Sequence, residues 1–463
     1  MSQRMEKDTM GEIAVPAAAL YGAQTQRALN NITIAPQRQL PPSFLRALAL
    51  VKAAAATANA QVGVLDEAIA AAIVSAAEAV AAGAHPQAFP VSVFQTGSGT
   101  SSNMNMNEVL ATLASRASGQ TVHPNDHVNC SQSSNDVVPT AIQVAATLEL
   151  EAQLLPAVTA LEGALQQRVP ELEAVVKTGR THLMDAMPVT LGFELRTWEL
   201  QLQECRQRLA DLHSRLQALP IGGSAVGTGV NVPAGYIDAL LQALRAQSGV
   251  TFTAAAMPST RMAAQDVSVE CSACLRSVAL VLIKMANDLR WMGSGPLAGL
   301  GEIQLQALQP GSSIMPGKVN PVVPEAVLMA ATEVLGNDAT IVLAGQSGSF
   351  QLNVMLPLIA DKLLGSVALL AGACAAMGDC IGGLEPCAGH AGDTVARNPV
   401  LVTALNPIIG YEAAAAIAKR AYREGRPVLE VALEDTDLSR DELARLLDPM
   451  PLARGNRKDL PHR

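Results

Sequence analysis

The chain has 463 residues, of which 49% are hydrophobic and only 3% aromatic, and its formal net charge is −9. An apolar content dominated by alanine, leucine and valine favours closely packed helices over a β-sandwich, and the length suggests several domains or one extended helical body. The acidic balance argues against nucleic acid or an anionic membrane surface as a partner.

The seven cysteines are scattered and odd in number, which indicates a reducing compartment. Cys271 and Cys274 have no second pair and no nearby histidine, so we expect buried thiols and no metal site. The first ten residues are charged and lack an apolar stretch, so we expect no secretory signal. The longest apolar runs, such as Ser277 to Ile283, are too short to span a membrane. Together these features predict a cytoplasmic protein without a membrane partner.

Helical patterns account for most of the chain after about residue 35, while the residues before it are polar and expected to be irregular. Five predicted helices have twenty residues or more: 139–177, 189–219, 260–292, 325–346 and 353–377. Pro156 and Pro170 should kink or end the first of these. The sequence therefore predicts an all-α fold with a central long-helix bundle. We place domain boundaries at 1–137, 138–355 and 356–463, with smaller helical domains at either end, and we expect residues 450–463 to be disordered.

Four polar runs interrupt the apolar helical sequence, at 95–108, 123–136, 179–188 and 311–325. In the first, Ser98, Gly99 and Thr100 lead into a helix. Exposed N–H groups and hydroxyls at a helix start can hold a carboxylate, although a capping loop without a ligand would look the same. A further glycine-rich turn, 222–229, lacks the lysine of a phosphate loop, so nucleotide binding is not expected.

The second and third runs are also rich in hydrogen-bonding groups. The second contains His123, Pro124, Asn125 and Asp126, followed by Ser133, Ser134 and Asn135. So many polar groups between apolar helices are costly unless a ligand or a network satisfies them. The third run places Thr181 and His182 in a break between two long helices, which predicts a position at a shared end of the bundle.

The fourth run reads GSSIMPGKVNP from Gly311 to Pro321. Its glycines and prolines predict a loop, either a lid over an anionic substrate or a surface turn with a solvated Lys318. Glu325 should lie in the first turn of the next helix. With no metal cluster and no cofactor fingerprint, the four runs together suit proton abstraction beside a carboxylate, followed by loss of a leaving group.

This fourth run resembles the characteristic loop of the fumarase/aspartase superfamily, and all four runs occur in that family's order. The resemblance extends from residue 4 to about residue 430. Ser133-Ser134-Asn135, His123 and Gly317 are similar to class II fumarases. Residues 126–129 and 320–325 read more like aspartase, so aspartate ammonia-lyase remains an alternative, as does a catalytically silent homologue. Gln120 stands where many fumarases have arginine, which weakens the expected second anion site.

Membership of the class II fumarases implies reversible hydration of fumarate to (S)-malate through an aci-carboxylate intermediate, without a cofactor or metal. It implies a homotetramer around a twenty-helix core, with each active site assembled from three chains. The family's catalytic residues correspond to Ser312, His182, Lys318 and Glu325. Its substrate-binding residues correspond to Ser98, Gly99, Thr100, Ser133, Ser134, Asn135, Thr181, Ser313, Lys318 and Asn320. A second dicarboxylate site corresponds to His123, Pro124, Asn125 and Asp126.

Overall fold

The computed structural model describes residues 2–455, and about 63% of the chain is helical. This confirms the predicted all-α class. The helices are α1 Ala23–Asn31, α2 Pro42–Gln61, α3 Glu67–Ala81, α4 Thr100–Ser118, α5 Ser134–Glu149, α6 Leu155–Leu172, α7 Leu191–Leu216, α8 Tyr236–Ser248, α9 Ser259–Met262, α10 Asp266–Met292, α11 Val322–Gly345, α12 Leu356–Gly382, α13 Ala388–Ala396, α14 Asn406–Ile409, α15 Tyr411–Glu424, α16 Val428–Asp435, α17 Arg440–Leu446 and α18 Pro449–Arg454.

Short strands form five two-stranded ladders, and within residues 2–455 no sheet is larger. The antiparallel pairs are β1 Gln3–Asp8 with β2 Gly11–Pro16, β3 Val176–Thr181 with β4 Met184–Thr190, β7 Ile303–Gln304 with β10 Glu385–Pro386, and β8 Gly348–Ser349 with β9 Leu352–Asn353. The parallel pair is β5 Ala218–Leu219 with β6 Thr253–Ala254.

The helical run from α5 to α6 widens at Leu150–Leu154 into a π-helical turn. Pro156 follows directly, and proline has no N–H for the regular helical bond and clashes with the carbonyl four residues before it. At the predicted kink beside Pro156, the chain therefore changes from an α-helix to a π-helical turn. Pro170, in contrast, lies inside the last turn of α6, and the helix ends at Leu172 rather than at 177.

Contacts within the chain define two compact units. The first contains residues 1–156, 205–279 and 331–371, and the second contains residues 157–204, 280–330 and 372–463. The boundaries fall inside α6, α7, α10, α11 and α12. The division into domains at 1–137, 138–355 and 356–463 remains a prediction.

The core of the first unit is built around α2, which packs mainly against α3, α5 and α8. Phe44, Leu48 and Val51 are fully buried there, together with most of the alanines of α2. Alanine side chains are small enough to let neighbouring helices approach closely, which explains how this helix can be buried around most of its circumference.

The second unit has a separate core formed by its C-terminal helices. Its buried residues come mainly from α13, α15, α16 and α17, and include Val395, Leu405, Ile417 and Val431. Helix α18 packs against β4, so the expectation of disorder from residue 450 is wrong as far as Arg454. The rest of that expectation, for residues 456–463, lies outside the described residues.

Three helical runs are long and apolar enough to cross a membrane, judged by length and composition: Ser134–Leu172, Val322–Gly345 and Leu356–Gly382. The prediction that no apolar stretch has the necessary length is therefore wrong. The uninterrupted apolar runs are short, but the single small or polar residues between them lower the mean hydropathy of these helices little. Only 33–44% of their most apolar parts is buried within the chain, so each run leaves apolar surface exposed.

The N-terminal segment is ordered, contrary to the prediction that it is irregular. Side chains in β1 alternate between exposed and half-buried, as expected of a strand that covers the surface. The Arg27 guanidinium donates to both carboxylate oxygens of Asp8, at 2.7 and 3.0 Å, and to the carbonyl oxygen of Gly11. Arg4 donates to four backbone carbonyls between residues 16 and 21. These arginines close the hairpin against the following helix, so their role is structural.

Glu108 anchors the start of α1 from the middle of α4. Its carboxylate accepts the backbone N–H groups of Gly22, Gln24 and Thr25 at 2.8 to 3.1 Å, and the Thr25 hydroxyl at 2.6 Å. Only 7% of the residue is exposed. A buried carboxylate with four donors satisfies the N–H groups that a helix start leaves unpaired, and its charge suits that end of the helix dipole.

Replacing Glu108 with alanine should release the N-terminal segment. Each hydrogen bond to a charged group contributes about 1.5–3 kcal/mol, so local opening should become easier by about 3 kcal/mol. Limited proteolysis should then cleave residues 2–31 about 100-fold faster. The matched control is Glu78→Ala on the exposed face of α3, which should leave the cleavage rate unchanged. Equal cleavage of both variants would contradict this account of α1.

Candidate active site

The loop from Gly311 to Pro321 is closed on itself by hydrogen bonds. The Gly311 N–H donates to the Lys318 carbonyl at 2.9 Å, and Asn320 Nδ2 donates to the Gly311 carbonyl at 2.7 Å. A Cβ at position 311 would stand 2.4 Å from the Lys318 oxygen, so only glycine allows this closure. Gly317 adopts a φ of +83° at the turn of the loop. The predicted loop is confirmed, and Asn320 is one of the groups that hold its shape.

Ser312 lies inside this loop with its hydroxyl oxygen facing two backbone donors. Ser312 Oγ accepts the N–H groups of Ile314 at 3.3 Å and Met315 at 3.0 Å. Hydrogen bonds of this kind stabilise a negatively charged oxygen more than a neutral hydroxyl, so they favour the deprotonated serine. The loop geometry therefore provides part of the charge stabilisation that a seryl base requires.

The rest of the loop faces solvent in the single chain. Ser313 and Lys318 are exposed, and Ile314 is 84% exposed. Helix α11 begins at Val322, and Glu325 lies in its first turn, as predicted. The exposure of a large apolar side chain beside polar candidate residues shows that this surface can accept further contacts.

His182 is at the tip of the hairpin formed by β3 and β4. His182 and Leu183 have φ values of 57° and 61°, and they connect Thr181 to its partner Met184. A two-residue turn with both φ values positive matches the twist of antiparallel strands. The prediction of an irregular break between two long helices is therefore corrected to a β-hairpin. The hairpin presents Thr181 and His182 together on an exposed surface.

The C-terminal helices hold this hairpin in place. Helix α13 packs against β3 and helix α18 packs against β4, and Asn398 Nδ2 donates to the Ala186 carbonyl at 2.9 Å. These contacts help to bury the base of β3, where Lys177, Thr178 and Gly179 are all buried. A hairpin supported along its length gives His182 a more defined position than a free loop would.

Beneath the hairpin, a cavity of about 390 Å³ is lined by His182 and several charged side chains. The ammonium group of Lys177 lies 3.2 Å from a carboxylate oxygen of Glu194 and 3.4 Å from one of Glu302. The Arg180 guanidinium donates to the other Glu302 oxygen at 2.7 Å. Lys177 and Glu302 are both buried. Because each cation faces a carboxylate, this cluster stabilises the base of the hairpin and offers no unpaired positive charge.

In the first unit, Ser98, Gly99 and Thr100 form the entry to α4. Gly99 precedes the helix with a φ of 76°, and the Ser98 and Thr100 hydroxyl oxygens are 2.8 Å apart. The segment packs tightly against the Val354 backbone, since a Cβ at Gly97 would stand 1.8 Å from the Val354 carbonyl oxygen. The predicted carboxylate cradle is thus an ordered helix start with two hydroxyl groups side by side.

Ser133, Ser134 and Asn135 form the entry to α5 beside it. Ser133 caps the helix, with its hydroxyl accepting the Asn135 N–H at 3.2 Å. The Ser134 hydroxyl accepts from Asn103 Nδ2 of α4 at 3.0 Å. A Cβ at Gly99 would stand 2.8 Å from a side-chain carbon of Val138 in α5. The structure therefore brings the first two predicted segments together at two adjacent helix starts.

Two buried ionisable residues near the starts of α4 and α5 are not among the site residues predicted from the sequence. Asp136 and Lys52 are both fully buried. Burial raises the pKa of Asp136 to about 6 and lowers the pKa of Lys52 to about 7, against the attraction between their opposite charges. Lys52 Nζ donates to Asn129 Oδ1 at 3.0 Å and to Gln132 Oε1 at 2.9 Å. A single lysine within the alanine-rich segment of α2 is the signal that could have pointed to this network.

The predicted second dicarboxylate site forms a short π-helical turn, Pro124–Val128, that begins after His123. His123 Nδ1 accepts the N–H groups of Asn125 at 3.3 Å and Asp126 at 3.1 Å. The side chains of His123 and Asp126 are 48% and 78% exposed. The four residues are therefore close together, and their use as a second site remains a prediction.

The candidate residues thus form separate groups in the structure. Within the second unit, no hydrogen bond among the described residues joins His182 to Ser312, Lys318 or Glu325. Across residues 2–455, no group of three or more histidine, cysteine or acidic side chains is arranged to hold a metal ion.

Comparison with known proteins gives a consistent result. The family model described as Lyase matches residues 11–336, and the one described as Fumarase C C-terminus matches residues 401–454. Fumarate hydratase class II 2 of Pseudomonas aeruginosa is 54% identical over 453 residues, which cover 98% of this chain and 99% of that protein. Fumarate hydratase class II of Xylella fastidiosa is also 54% identical, with 98% and 96% covered. The solved structure of class II fumarase from Schistosoma mansoni has a TM-score of 0.95 at 35% identity, with both chains fully covered.

The long helices and the polar segments at their ends define a lyase fold of the fumarase/aspartase type. With these similarities extending along nearly its whole length, the chain belongs to the class II fumarate hydratase family.

Proposed function

We propose that this chain is a fumarate hydratase, which catalyses the reversible hydration of fumarate to (S)-malate in the tricarboxylic acid cycle. The observation that supports this most strongly is the 54% identity, over 98% of the chain, to two proteins named class II fumarate hydratases. The chemistry of the helix starts and loops agrees with it, since they present hydroxyl, amide, ammonium and imidazole groups suited to a dicarboxylate.

The two adjacent helix starts in the first unit are suited to bind the substrate carboxylates. Thr100 and Ser98 offer hydroxyl donors at the start of α4, and Ser133, Ser134 and Asn135 offer further donors at the start of α5. Both sites also have the partial positive charge of a helix N-terminus. Thr181, Ser313 and Asn320 complete the proposed binding set together with Gly99, whose lack of a Cβ lets the start of α4 approach Val138 of α5.

In the direction of malate dehydration, Ser312 is the proposed base. Its deprotonated oxygen takes the proton from C3, and the electron pair moves into the adjacent carboxylate to give the aci-carboxylate. The N–H groups of Ile314 and Met315 stabilise the seryl oxygen before this transfer. The Lys318 ammonium stabilises the additional negative charge on the intermediate.

His182 is the proposed proton donor to the leaving group. As the intermediate collapses, the electron pair forms the C2–C3 double bond and the C2–O bond breaks. The hydroxide leaves as water after receiving a proton from His182, directly or through a bound water. Glu325 is proposed to orient the imidazole so that this proton faces the substrate. Hydration of fumarate follows the same steps in reverse.

Residues from different chains are proposed to complete each active site in a homotetramer. Within one chain His182 has no bond to the Ser312 loop, and several long helices leave apolar surface exposed. On α11, Met329 and Leu343 are 69% and 62% exposed. Burial of such surface against other copies is favourable by about 25 cal/mol per Å². Light scattering should therefore give a mass four times the 48.1 kDa of one chain.

We further propose a cytoplasmic location, because scattered cysteines in an odd number are typical of proteins from a reducing compartment. A membrane partner is not proposed, because other copies of the chain suit the apolar helices equally well and the family resemblance favours them.

Fumarate absorbance provides the experiment that tests the function. The purified protein should form fumarate from (S)-malate and should form little or none from aspartate. Aspartate ammonia-lyase is the alternative left open by residues 126–129 and 320–325, and the relatives named above do not favour it. A large preference for aspartate would reverse the assignment, and no reaction with either substrate would favour a silent homologue.

A further inference from the structure

Asp136, a fully buried carboxylate, connects two segments of the first unit at the start of α5. Asp136 Oδ1 accepts the Ser133 N–H at 3.0 Å, which completes the cap of the helix. Asp136 Oδ2 accepts the N–H groups of Gly222 at 3.0 Å and Ser224 at 2.9 Å. Three backbone donors from segments more than eighty residues apart in the chain therefore meet at one side chain.

The glycine-rich segment 222–229 is held in a conformation that few sequences can adopt. Ser224 has a φ of 54°, and a Cβ at Gly222 would stand 2.5 Å from a side-chain carbon of Ile237. Backbone strain of this kind persists only where surrounding contacts maintain it. The two hydrogen bonds to Asp136 are such contacts, since they fix the N–H groups on both sides of position 223.

The same segment determines how Asn135 is oriented. Asn135 Nδ2 donates to the Ala225 carbonyl at 2.9 Å. An amide nitrogen carries two hydrogens, so one remains available for a substrate carboxylate. If segment 222–229 moved, Ala225 would no longer define which way the Asn135 amide points. Asp136 therefore influences Asn135, a residue of the proposed binding set, through the backbone around Ala225.

We propose that Asp136 is a positioning residue of the dicarboxylate subsite, which it maintains by fixing segment 222–229 against the start of α5. This inference rests on the proposed function. Asp136 has no exposed surface, so it acts through Ser133 and Asn135 and does not touch the substrate. Segment 222–229 thus supports the subsite, although its glycines superficially resemble those of a nucleotide-binding loop.

Lys52 supports this arrangement from the opposite side. Its positive charge favours the ionised form of Asp136, which accepts the three N–H groups more strongly than the protonated acid would. Lys52 also donates to Asn129, whose side-chain oxygen accepts from Asn103 at 3.1 Å. Asn103 in turn donates to the Ser134 hydroxyl. The lysine thus connects the charge of Asp136 with the hydrogen-bond network behind Ser134.

The test is Asp136→Asn, a nearly isosteric change that places an NH2 group against backbone N–H donors. Disordering the subsite weakens substrate and transition state alike, so KM for fumarate should rise about 10-fold or more while kcat falls less than about 3-fold. The inhibition constant of succinate, a dicarboxylate without a leaving group, should rise with KM. Backbone amides of residues 221–226 should also lose protection from hydrogen exchange.

The matched control is Gln143→Met on the same helix. Gln143 Nε2 donates to the Leu216 and Ala218 carbonyls at 2.7 and 3.0 Å, so this variant also loses buried hydrogen bonds. It should lower thermal stability but leave KM and the succinate constant within about 2-fold of wild type, as expected for a contact remote from the substrate. Equal KM values for Asp136→Asn and wild type, with comparable loss of stability in both variants, would overturn the proposal.

Two wild-type measurements separate this proposal from the proposed function and do not depend on folding of the variant. Succinate binding, measured by calorimetry, should slow hydrogen exchange in residues 221–226 as well as in 133–135, whether or not the protein hydrates fumarate. A wild type that binds succinate but does not act on fumarate or malate would refute the function alone. A wild type that binds succinate without protecting residues 221–226 would refute the positioning role alone.

Discussion

Ser312→Ala should abolish fumarate hydration while leaving the fold and the oligomer intact. The variant lacks the oxygen that takes the C3 proton, so turnover should fall by about 10⁴-fold. The fold should tolerate the change, because among residues 2–455 Ser312 Oγ bonds only to the N–H groups of Ile314 and Met315, and in the partly exposed loop water can replace it. Activity on fumarate, circular dichroism and light scattering measure the three parts of this prediction.

The matched control for this variant is Ser347→Ala, which removes a hydroxyl that bonds only to the Leu343 carbonyl of its own helix end. It should retain wild-type turnover. If Ser312→Ala hydrates fumarate as fast as this control, Ser312 is not the base. If both variants lose their oligomeric state, the loss of activity follows from misassembly. The assignment of Ser312 as the base then loses the support of this experiment.

His182→Asn should lower kcat by roughly 10²–10⁴-fold, the usual contribution of a positioned general acid. Asparagine is the appropriate replacement because His182 has a φ of 57°, and asparagine tolerates this left-handed region better than most residues. The hairpin turn should therefore persist while the proton donor is lost. Steady-state kinetics with fumarate and with malate should show the loss in both directions, since both use the same proton transfer.

Leu183→Asn provides the control within the same turn, since Leu183 has a φ of 61° and an exposed side chain. It should change kcat by no more than about 3-fold, as is usual for an exposed position without a chemical role. A kcat for His182→Asn as close to wild type as this would exclude His182 as the proton donor. The proposed contribution of Glu325 would then lose its basis as well.

Much of the fold could be predicted because helical periodicity is a local property of the sequence. The predicted helix 325–346 corresponds to α11, which begins three residues earlier, at Val322. The alanine-rich α2 was predicted as a helix for the same reason. What periodicity could not show is how much apolar surface α11 and α12 leave exposed, because that depends on which distant segments pack against them.

The hairpin that carries His182 could not be predicted because its stability is not local. The sequence Val176-Lys-Thr-Gly-Arg-Thr181 has few of the apolar alternations that mark a strand, and it follows a long helix. It becomes a strand through packing against α13 and α18, more than two hundred residues later. The same is true of the N-terminal hairpin, which Arg27 closes through Asp8.

The loop and helix-start residues of the candidate site could be found because each lies in a dense polar run between apolar helical segments. Asp136 and Glu108 could not, since a single carboxylate within a helix has no local mark of its role. Asp136 acts on segment 222–229, and Glu108 acts on residues 22–25. The role of such supporting residues can be recognised only from a structure, which shows the distant segments in contact.

Ser312 and His182 are proposed to act in one pocket that different chains contribute. The direct measurement is subunit complementation, in which Ser312→Ala and His182→Asn chains are unfolded, mixed in equal amounts and refolded together. If each active site takes the two residues from different chains, random assembly should restore roughly a quarter of wild-type activity, although each variant alone is nearly inactive. Activity no higher than that of the separately refolded variants would contradict the account.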